Sequence, residues 1–423
     1  MSSLFSDSKW PLQALGRTYE PKLGKMLRPT PESDADRRVP YLRAGLLDWG
    51  LVVSDDLPLM WASEREIVEY EVRVGDLVVA EGGDAGRATI LPEIPSNTIM
   101  QNSLHRIRGD YVELRFLYYV LSAIHSSGWL EAACNKATIG HLTGEKLRSL
   151  PIPAPSPQNR GRVVDFLDRE IARIDALGGI KRRLVELLQE RWRTEVIQTV
   201  TRGFSDKELV PMDSPWFSRL PAEWTLEPLK RRWTVIDCKH HTPVYVDRGF
   251  SLVSHAEIED GRVYPGRSGR FVEEVDYLDL IADRRPKRGD IIYTRNATIG
   301  NAGYVDTDQE FAMGQDVCLI TSQDQDQRFL TYFLNYVAVD QLAAQRLGAT
   351  FGRMNVAQIV DLQILCPPPE EQCAIANHLD ARRKTYETLS AQLNGQTERL
   401  AEHRQALITA AVTGQIDVVA AVA

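Results

Sequence analysis

At 423 residues, 43% hydrophobic and 26% charged, the chain is too long for one ordinary core and too balanced in composition for a disordered protein. Its net charge of −8 argues against a protein that coats nucleic acid indiscriminately, but leaves room for a local basic surface. The N-terminal MSSLFSDSKW is no export signal and no run is long enough to span a membrane, so a cytoplasmic protein is expected. Cys134, Cys238, Cys318, Cys366 and Cys373 form no CxxC pair and have no histidines at zinc-finger spacing, so reduced structural thiols, no metal and no cofactor are expected.

Taken in chain order, the sequence divides into two similar halves. Residues 1 to about 155 are rich in Gly, Pro and β-branched residues, with a strand predicted at Leu77 to Ala80 and a helix from about Tyr111 to Ser122. Four prolines in PIPAPSP, residues 151 to 157, then forbid both helix interior and central strand. A long helical segment follows, over 156–204.

The second half repeats the order. A globular part over 205–368 contains a strand at Ile291 to Thr294 and a helix predicted from about Gln327 to Leu347. CPPPEEQ follows, and a second long helix with a C-terminal tail fills 369–423. The register is fixed: Trp10, Leu12, Leu15, Gly75-Asp76, Gly86 and Gln101 recur 214 positions later as Trp224, Leu226, Leu229, Gly289-Asp290, Gly300 and Gln315. Such a period is far too long for a solenoid unit. It describes a duplicated module of one globular head and one long helix.

Both helical segments carry a seam in steps of three and four. In the first it runs through Val163, Leu167, Ile174, Leu177, Leu184 and Leu188, with Glu170 and Lys181 as polar positions. In the second it runs through Ile375, Leu379, Tyr386, Leu389, Leu393, Leu400 and Leu407, interrupted by Arg382, Gln396 and His403. Each seam needs a partner, and an antiparallel coiled coil between the two is expected. A helix of this length would reach on the order of 65 Å, enough for a spacer. Gly178-Gly179 costs roughly 2 kcal/mol relative to alanine, so a kink or break is expected there.

The chemistry is sought in the globular parts. GDLVVAEGGDAGRAT from Gly75 and GDIIYTRNATIGNAG from Gly289 each read as a hairpin with a glycine-rich return. Its loop would present Arg87 in one copy and Arg295 with Asn296 in the other, residue types that read guanine and adenine through paired hydrogen bonds. An ordinary hairpin with solvated polar residues is the competing reading. Basic clusters occur at Lys22, Lys25 and Arg28, at Arg37-Arg38, at Lys230 to Arg232, at Lys239 to His241, and at Arg284 to Arg288. No methyltransferase signature, Walker lysine or nuclease carboxylate-lysine set is found, so a chain that binds without catalysing is expected.

The order head, helix, head, helix resembles the specificity subunits of type I restriction-modification systems. The local likeness lies in DCKHHTPVYVDRGFSLVSHAEIEDGRV from Asp237, in EGGDAGRA and QNSLHRIR from Glu81 and Gln101, in LPIPAPSPQNR and ILCPPPEEQ before the helices, and in ITAAVTGQIDV from Ile408. The resemblance implies an α+β protein with two mixed α/β target recognition domains, joined by two long helices as a pseudo-twofold repeat. It implies double-stranded DNA, two adenine methyltransferase subunits and a restriction translocase as partners, with each head reading half of an asymmetric split site. Candidate DNA-binding residues are Lys25, Arg28, Gly83, Arg87, Asn102 and His105 in the first head; in the second they are Lys239, His240, His241, Thr242, Arg295, Asn296, Thr298 and Arg353. The residues expected to join the helices are Leu167, Ile174, Leu184, Leu188, Leu379, Leu389, Leu393, Leu400 and Leu407. A two-headed DNA-binding regulator acting alone, a coiled-coil scaffold without DNA specificity, and a nuclease fused to recognition domains are the alternatives.

Overall fold

The structure is a computed structural model and describes residues 5–53, 56–130, 141–204, 208–296, 298–346 and 354–418. The chain forms two compact units, Met1–Arg182 with Asn394–Ala423, and Arg183–Leu393. Each unit joins one head to segments of both long helices.

In the first unit, four antiparallel strands lie in the order Lys22–Leu23, Leu104–Ile107, Leu77–Ala80 and Ala88–Ile90. All four residues of Leu77–Ala80 are buried because the strand is covered on both faces, and Leu77 and Val79 join one core while Val78 and Ala80 join another. The helix Tyr111–Ser126 runs four residues past its expected end and covers one face. Asp110 starts it by accepting the Glu113 amide.

The second unit builds the same hairpin into a six-stranded sheet. Its order is Thr234–Asp237, Val317–Thr321, Ile291–Thr294, Ala302–Tyr304, Arg262–Val263 and Ile258–Glu259. The helix expected over Gln327 to Leu347 is two helices, Gln327–Tyr336 and Val339–Arg346. The Val337 and Ala338 amides both turn back to the Phe333 carbonyl, which ends the first one; Leu347 lies outside the described residues.

The duplication is visible bond by bond. The Ala80 amide donates to the Arg87 carbonyl at 2.8 Å, as Thr294 does to Asn301 at 2.9 Å. Leu15 donates to Leu150 at 2.9 Å, as Leu229 does to Leu362 at 2.8 Å. The Gly-Asp motif has a mechanical cause: the Asp76 carboxylate accepts the Arg73 amide at 2.9 Å, and Asp290 accepts the Lys287 amide at 2.8 Å, closing the turn before each strand.

The proline segments enter two-stranded ribbons, not central strands. Pro151–Pro153 pairs with Leu12–Ala14, and Gln363–Cys366 with Thr225–Pro228. The long helices then start at prolines, Pro157–Arg202 and Pro369–Val412, where a missing amide costs no helical bond.

Within each unit the two helices run antiparallel. In the first, Asp175 meets Arg404 at 3.0 Å and Lys181 meets the Gln396 side chain at 2.5 Å. In the second, Glu195 accepts from Arg382 at 2.7 Å and Trp192 stacks on Tyr386 with ring centroids 5.6 Å apart. The polar positions Lys181, Arg382 and Gln396 therefore pair across the seam, which fixes its register. The helix continues unbroken through Gly178-Gly179, correcting the expected break. Packing of Ile171 and Ile174 against the first core holds that part of the helix against the glycine cost.

The seam is dry only toward the heads. Leu167, Ile174 and Leu379 are buried, whereas Leu188, Leu393, Leu400 and Leu407 are half-buried. Leu177, Leu184 and Leu389, expected inside, are exposed together with Ile180 and Leu187. Among the described residues no helix is long and apolar enough to cross a membrane.

Candidate nucleic-acid interface

In the second head, several loops converge beside the hairpin strand Ile291–Thr294. Arg295 follows that strand directly; its amide donates to the Asp316 carbonyl at 2.9 Å and its carbonyl accepts from Met354 at 2.8 Å. The side chain is turned inward, and Arg295 is 2% exposed. Its Nη1 lies 2.7 Å from the Asp237 carboxylate, and its Nη2 donates to Cys238 Sγ at 3.4 Å. This corrects the expectation of an arginine at an exposed hairpin tip. A buried guanidinium must find a counter-charge, and Asp237 supplies it from the end of the strand Thr234–Asp237.

Around this pair, whose Asp237 is half-buried, the surface is polar. His240, His241 and Thr242 are exposed, as expected of contact residues. His240 Nε2 lies 3.4 Å from Asp237, His241 Nε2 lies 3.7 Å from Asp276, and Lys239 pairs with Asp279. Asn296 is half-buried and donates to Asp316 at 3.0 Å, while His255 Nδ1 lies 3.5 Å from the other oxygen of the same carboxylate. Gln315 donates its side-chain amide to the Thr242 hydroxyl at 2.8 Å. Thr298 is exposed, its carbonyl accepting the Thr294 hydroxyl at 2.5 Å. Arg353 lies outside the described residues.

The sequence reading missed Gln315, Asp316 and His255. The 214-residue offset aligns Gln315 with Gln101, but the backbone corrects this: Ser103 accepts from Glu81 where Asp316 accepts from Arg295, so Gln315 stands where the first head has Asn102. Asp316 and His255 carried no local signal, since their neighbours come from distant loops.

The first head holds different side chains at the corresponding place. Glu81, the counterpart of Arg295 at the 214-residue offset, has the same backbone bonds: its amide donates to the Ser103 carbonyl at 2.9 Å and its carbonyl accepts from Leu142 at 2.7 Å. His105 is fully buried, with Nε2 3.0 Å from the Leu142 carbonyl and 3.3 Å from Glu81. Burial holds its pKa below the ordinary imidazole value, outweighing the opposite pull of the Leu142 carbonyl and Glu81. His105 is thus turned away from any ligand, contrary to expectation. Arg87 donates to the Ala44 carbonyl at 3.2 Å and lies 3.5 Å from Asp84. Gly83 is exposed in the same loop and Asn102 is half-buried.

Lys25 and Arg28 are also corrected. Lys25 is 8% exposed with its Nζ 2.5 Å from Glu66; Arg28 is hemmed by Glu66, Glu32 and Asp36. Burial tends to raise the Glu66 pKa, but the Lys25 ammonium and the Ser63 amide and hydroxyl overcome it and bring it down to about 2. The cluster is internal structure. The other basic runs are neutralised more loosely at the surface: Lys230 by Asp361, Arg232 by Glu227, Arg285 by Glu310 and Arg288 by Asp306 and Asp308. Exposed pairs of this kind are worth little and yield easily to a polyanion. Among the described residues, no group of three His, Cys, Asp or Glu side chains is placed to hold a metal ion.

Duplicated α+β heads on antiparallel helices, with loop surfaces differing between copies, define a class of two-headed recognition protein. The family model described as type I restriction modification DNA specificity domain matches residues 63–186 and again 246–399. The chain belongs to this family and is a DNA specificity subunit of the type I restriction-modification class. Its fold is shared with a solved chain described under the words "Structural basis underlying complex assembly and conformational transition of the type I R-M system", at a TM-score of 0.72 and 16% identity over 96% of this chain and 98% of that one. The HsdS subunit from Thermoanaerobacter tengcongensis is similar at a TM-score of 0.53 and 16% identity, over 96% and 97% of the two chains.

Proposed function

We propose that each head reads one half of an asymmetric, bipartite site on double-stranded DNA, that the helix pair sets the gap between the halves, and that it docks two adenine methyltransferase subunits, with a restriction translocase joining the complex. The observation that carries this reading is one scaffold with two different loop surfaces. Backbone bonds around the hairpin are the same in both heads, yet Glu81 stands in one where Arg295 stands in the other. Two heads on one chain gain specificity as a product of modest affinities, because the second binds at high effective concentration once the first is engaged.

The chain itself carries no catalytic role in this reading. Exposed apolar side chains on the long helices, Leu177, Ile180, Leu184, Leu187 and Leu389, support the docking of partner subunits there over a regulator that acts alone. The test is selection from a random duplex library by the purified chain, with and without its modification subunit, followed by methyl transfer from S-adenosylmethionine. The proposal expects a split motif and methylation that requires the added subunit. Methyl transfer by the isolated chain, abolished by a point substitution in it, would refute it.

A further inference from the structure

The second head contains a buried guanidinium, that of Arg295, paired with the part-exposed carboxylate of Asp237 beneath the loop from Lys239 to Thr242. Arg295 reaches Asp237, whose carboxylate also accepts the Cys238 amide at 2.8 Å and faces His240 at 3.4 Å. Cys238 in turn donates to the Gln315 carbonyl at 3.5 Å. The loop from Lys239 to Thr242 and the turn at Gln315 are thus both tied to the guanidinium of Arg295. From this support the Gln315 amide and the Thr242 hydroxyl, joined at 2.8 Å, stand at the surface beside His240.

Taking a guanidinium out of water costs several kcal/mol, and hydrophobic packing would serve stability as well. The first head shows that the scaffold does not require it, since the same backbone position there holds Glu81 against His105. A position that is basic and buried as Arg295 in one copy and acidic and half-buried as Glu81 in the other is explained by what it orients. A glutamine amide offers a donor and an acceptor side by side, the pattern that pairs with the N6 and N7 edge of adenine in the major groove.

We propose that Gln315, braced by Thr242, reads an adenine in the half-site of the second head, and that Arg295 is a positioning residue that fixes this reading surface through Asp237. The proposal rests on the DNA-reading function above and names the group that reads and the one that holds it.

The experiment uses the full chain assembled with its modification subunit, and measures methylation rates on duplexes in which each base pair of the selected site is changed in turn. Gln315→Ala loses roughly ten- to hundredfold of discrimination at one base pair of one half-site. Gln315→Glu moves the preference there from adenine toward cytosine, because a carboxylate accepts from cytosine N4. Arg295→Met and Asp237→Asn broaden the preference at that same base pair, the double variant is no broader than either, and Arg295→Lys restores part of it.

An unchanged base profile in both Gln315 variants overturns the reading role. Lowered melting temperatures with an unchanged base profile in the Arg295 and Asp237 variants overturn the positioning role. If Arg295→Met fails to assemble, the half-buried Gln315 and the conservative Arg295→Lys still decide the matter. A wild-type complex that selects no split site at all refutes the underlying function instead, which is a separate result.

Discussion

Asp168 and Asp380 hold the same post in the two halves of the chain. Asp168 accepts from Arg115 at 2.7 Å and from the Tyr119 hydroxyl at 2.5 Å; Asp380 accepts from Arg328 at 2.9 Å and from Tyr332 at 2.8 Å. In each unit the arginine and tyrosine lie on the head's helix and the aspartate near the start of a long helix. The triad fastens a head to its helix with charge-assisted bonds that are partly shielded from water.

Asp168→Ala or Asp380→Ala therefore destabilises its own unit by about 1.5–3 kcal/mol per charged hydrogen bond lost, less the gain from freeing side chains. Tyr119→Phe and Tyr332→Phe, which keep the ring and the arginine–aspartate pair, cost less, and Tyr119→Phe the more of the two because it also gives up the Arg115 bond to its hydroxyl. Calorimetric melting of the four variants checks the order.

Gly203 and Gly414 close the two long helices, with φ of +73° and +72°. A Cβ on Gly203 would come within 2.7 Å of the Glu371 carboxylate, and one on Gly414 within 2.6 Å of the Trp10 indole. Both alanine variants carry the backbone penalty of about 1 kcal/mol or more. Glu371 can swing aside whereas the ring cannot, so Gly414→Ala is the more damaging, and melting temperatures test that ranking.

Glu66 gives the first head an acid sensitivity with a definite sign. Its folded pKa of about 2 lies below the unfolded value of 4.5, so its contribution is present above pH 4.5 and is lost as pH falls toward 2. Unfolding of the wild type between these limits steepens relative to Glu66→Gln, which has already lost the Lys25 and Arg28 pairing. Lys25→Met likewise lowers stability and leaves the salt dependence of DNA binding unchanged. A flatter salt dependence in that variant would return Lys25 to the phosphate contacts.

The helix pair separates packing from docking. Leu379 is fully buried, and Leu379→Asp costs several kcal/mol because a carboxylate enters a dry site. Leu389 is 43% exposed, so Leu389→Asp leaves the fold intact and weakens assembly with the modification subunit. Size-exclusion chromatography of both variants, alone and with that subunit, distinguishes the two effects.

What the sequence made legible follows from range. The Gly-Asp turns, the proline boundaries and the repeat are local or repeated signals that became specific backbone bonds, although the 214-residue offset falls to 213 beyond the hairpin, where Leu104 matches Val317. Arg295 was misplaced because its partner Asp237 is 58 residues away and nothing near the hairpin announces a counter-charge. Lys25 failed for the same reason, its partner Glu66 lying 41 residues on. At Gly178-Gly179 local propensity predicted a break that tertiary packing of the flanking turns overrode.

The most direct test of the central claim is methylome sequencing of cells that carry this chain with its modification subunit, compared with cells whose chain has the Lys239 to Thr242 loop replaced. The account predicts one asymmetric motif of two specified blocks around a fixed run of unspecified bases, and a change in one block alone on loop replacement. A continuous or palindromic motif, or a replacement that alters both blocks or the length of the gap, would contradict it.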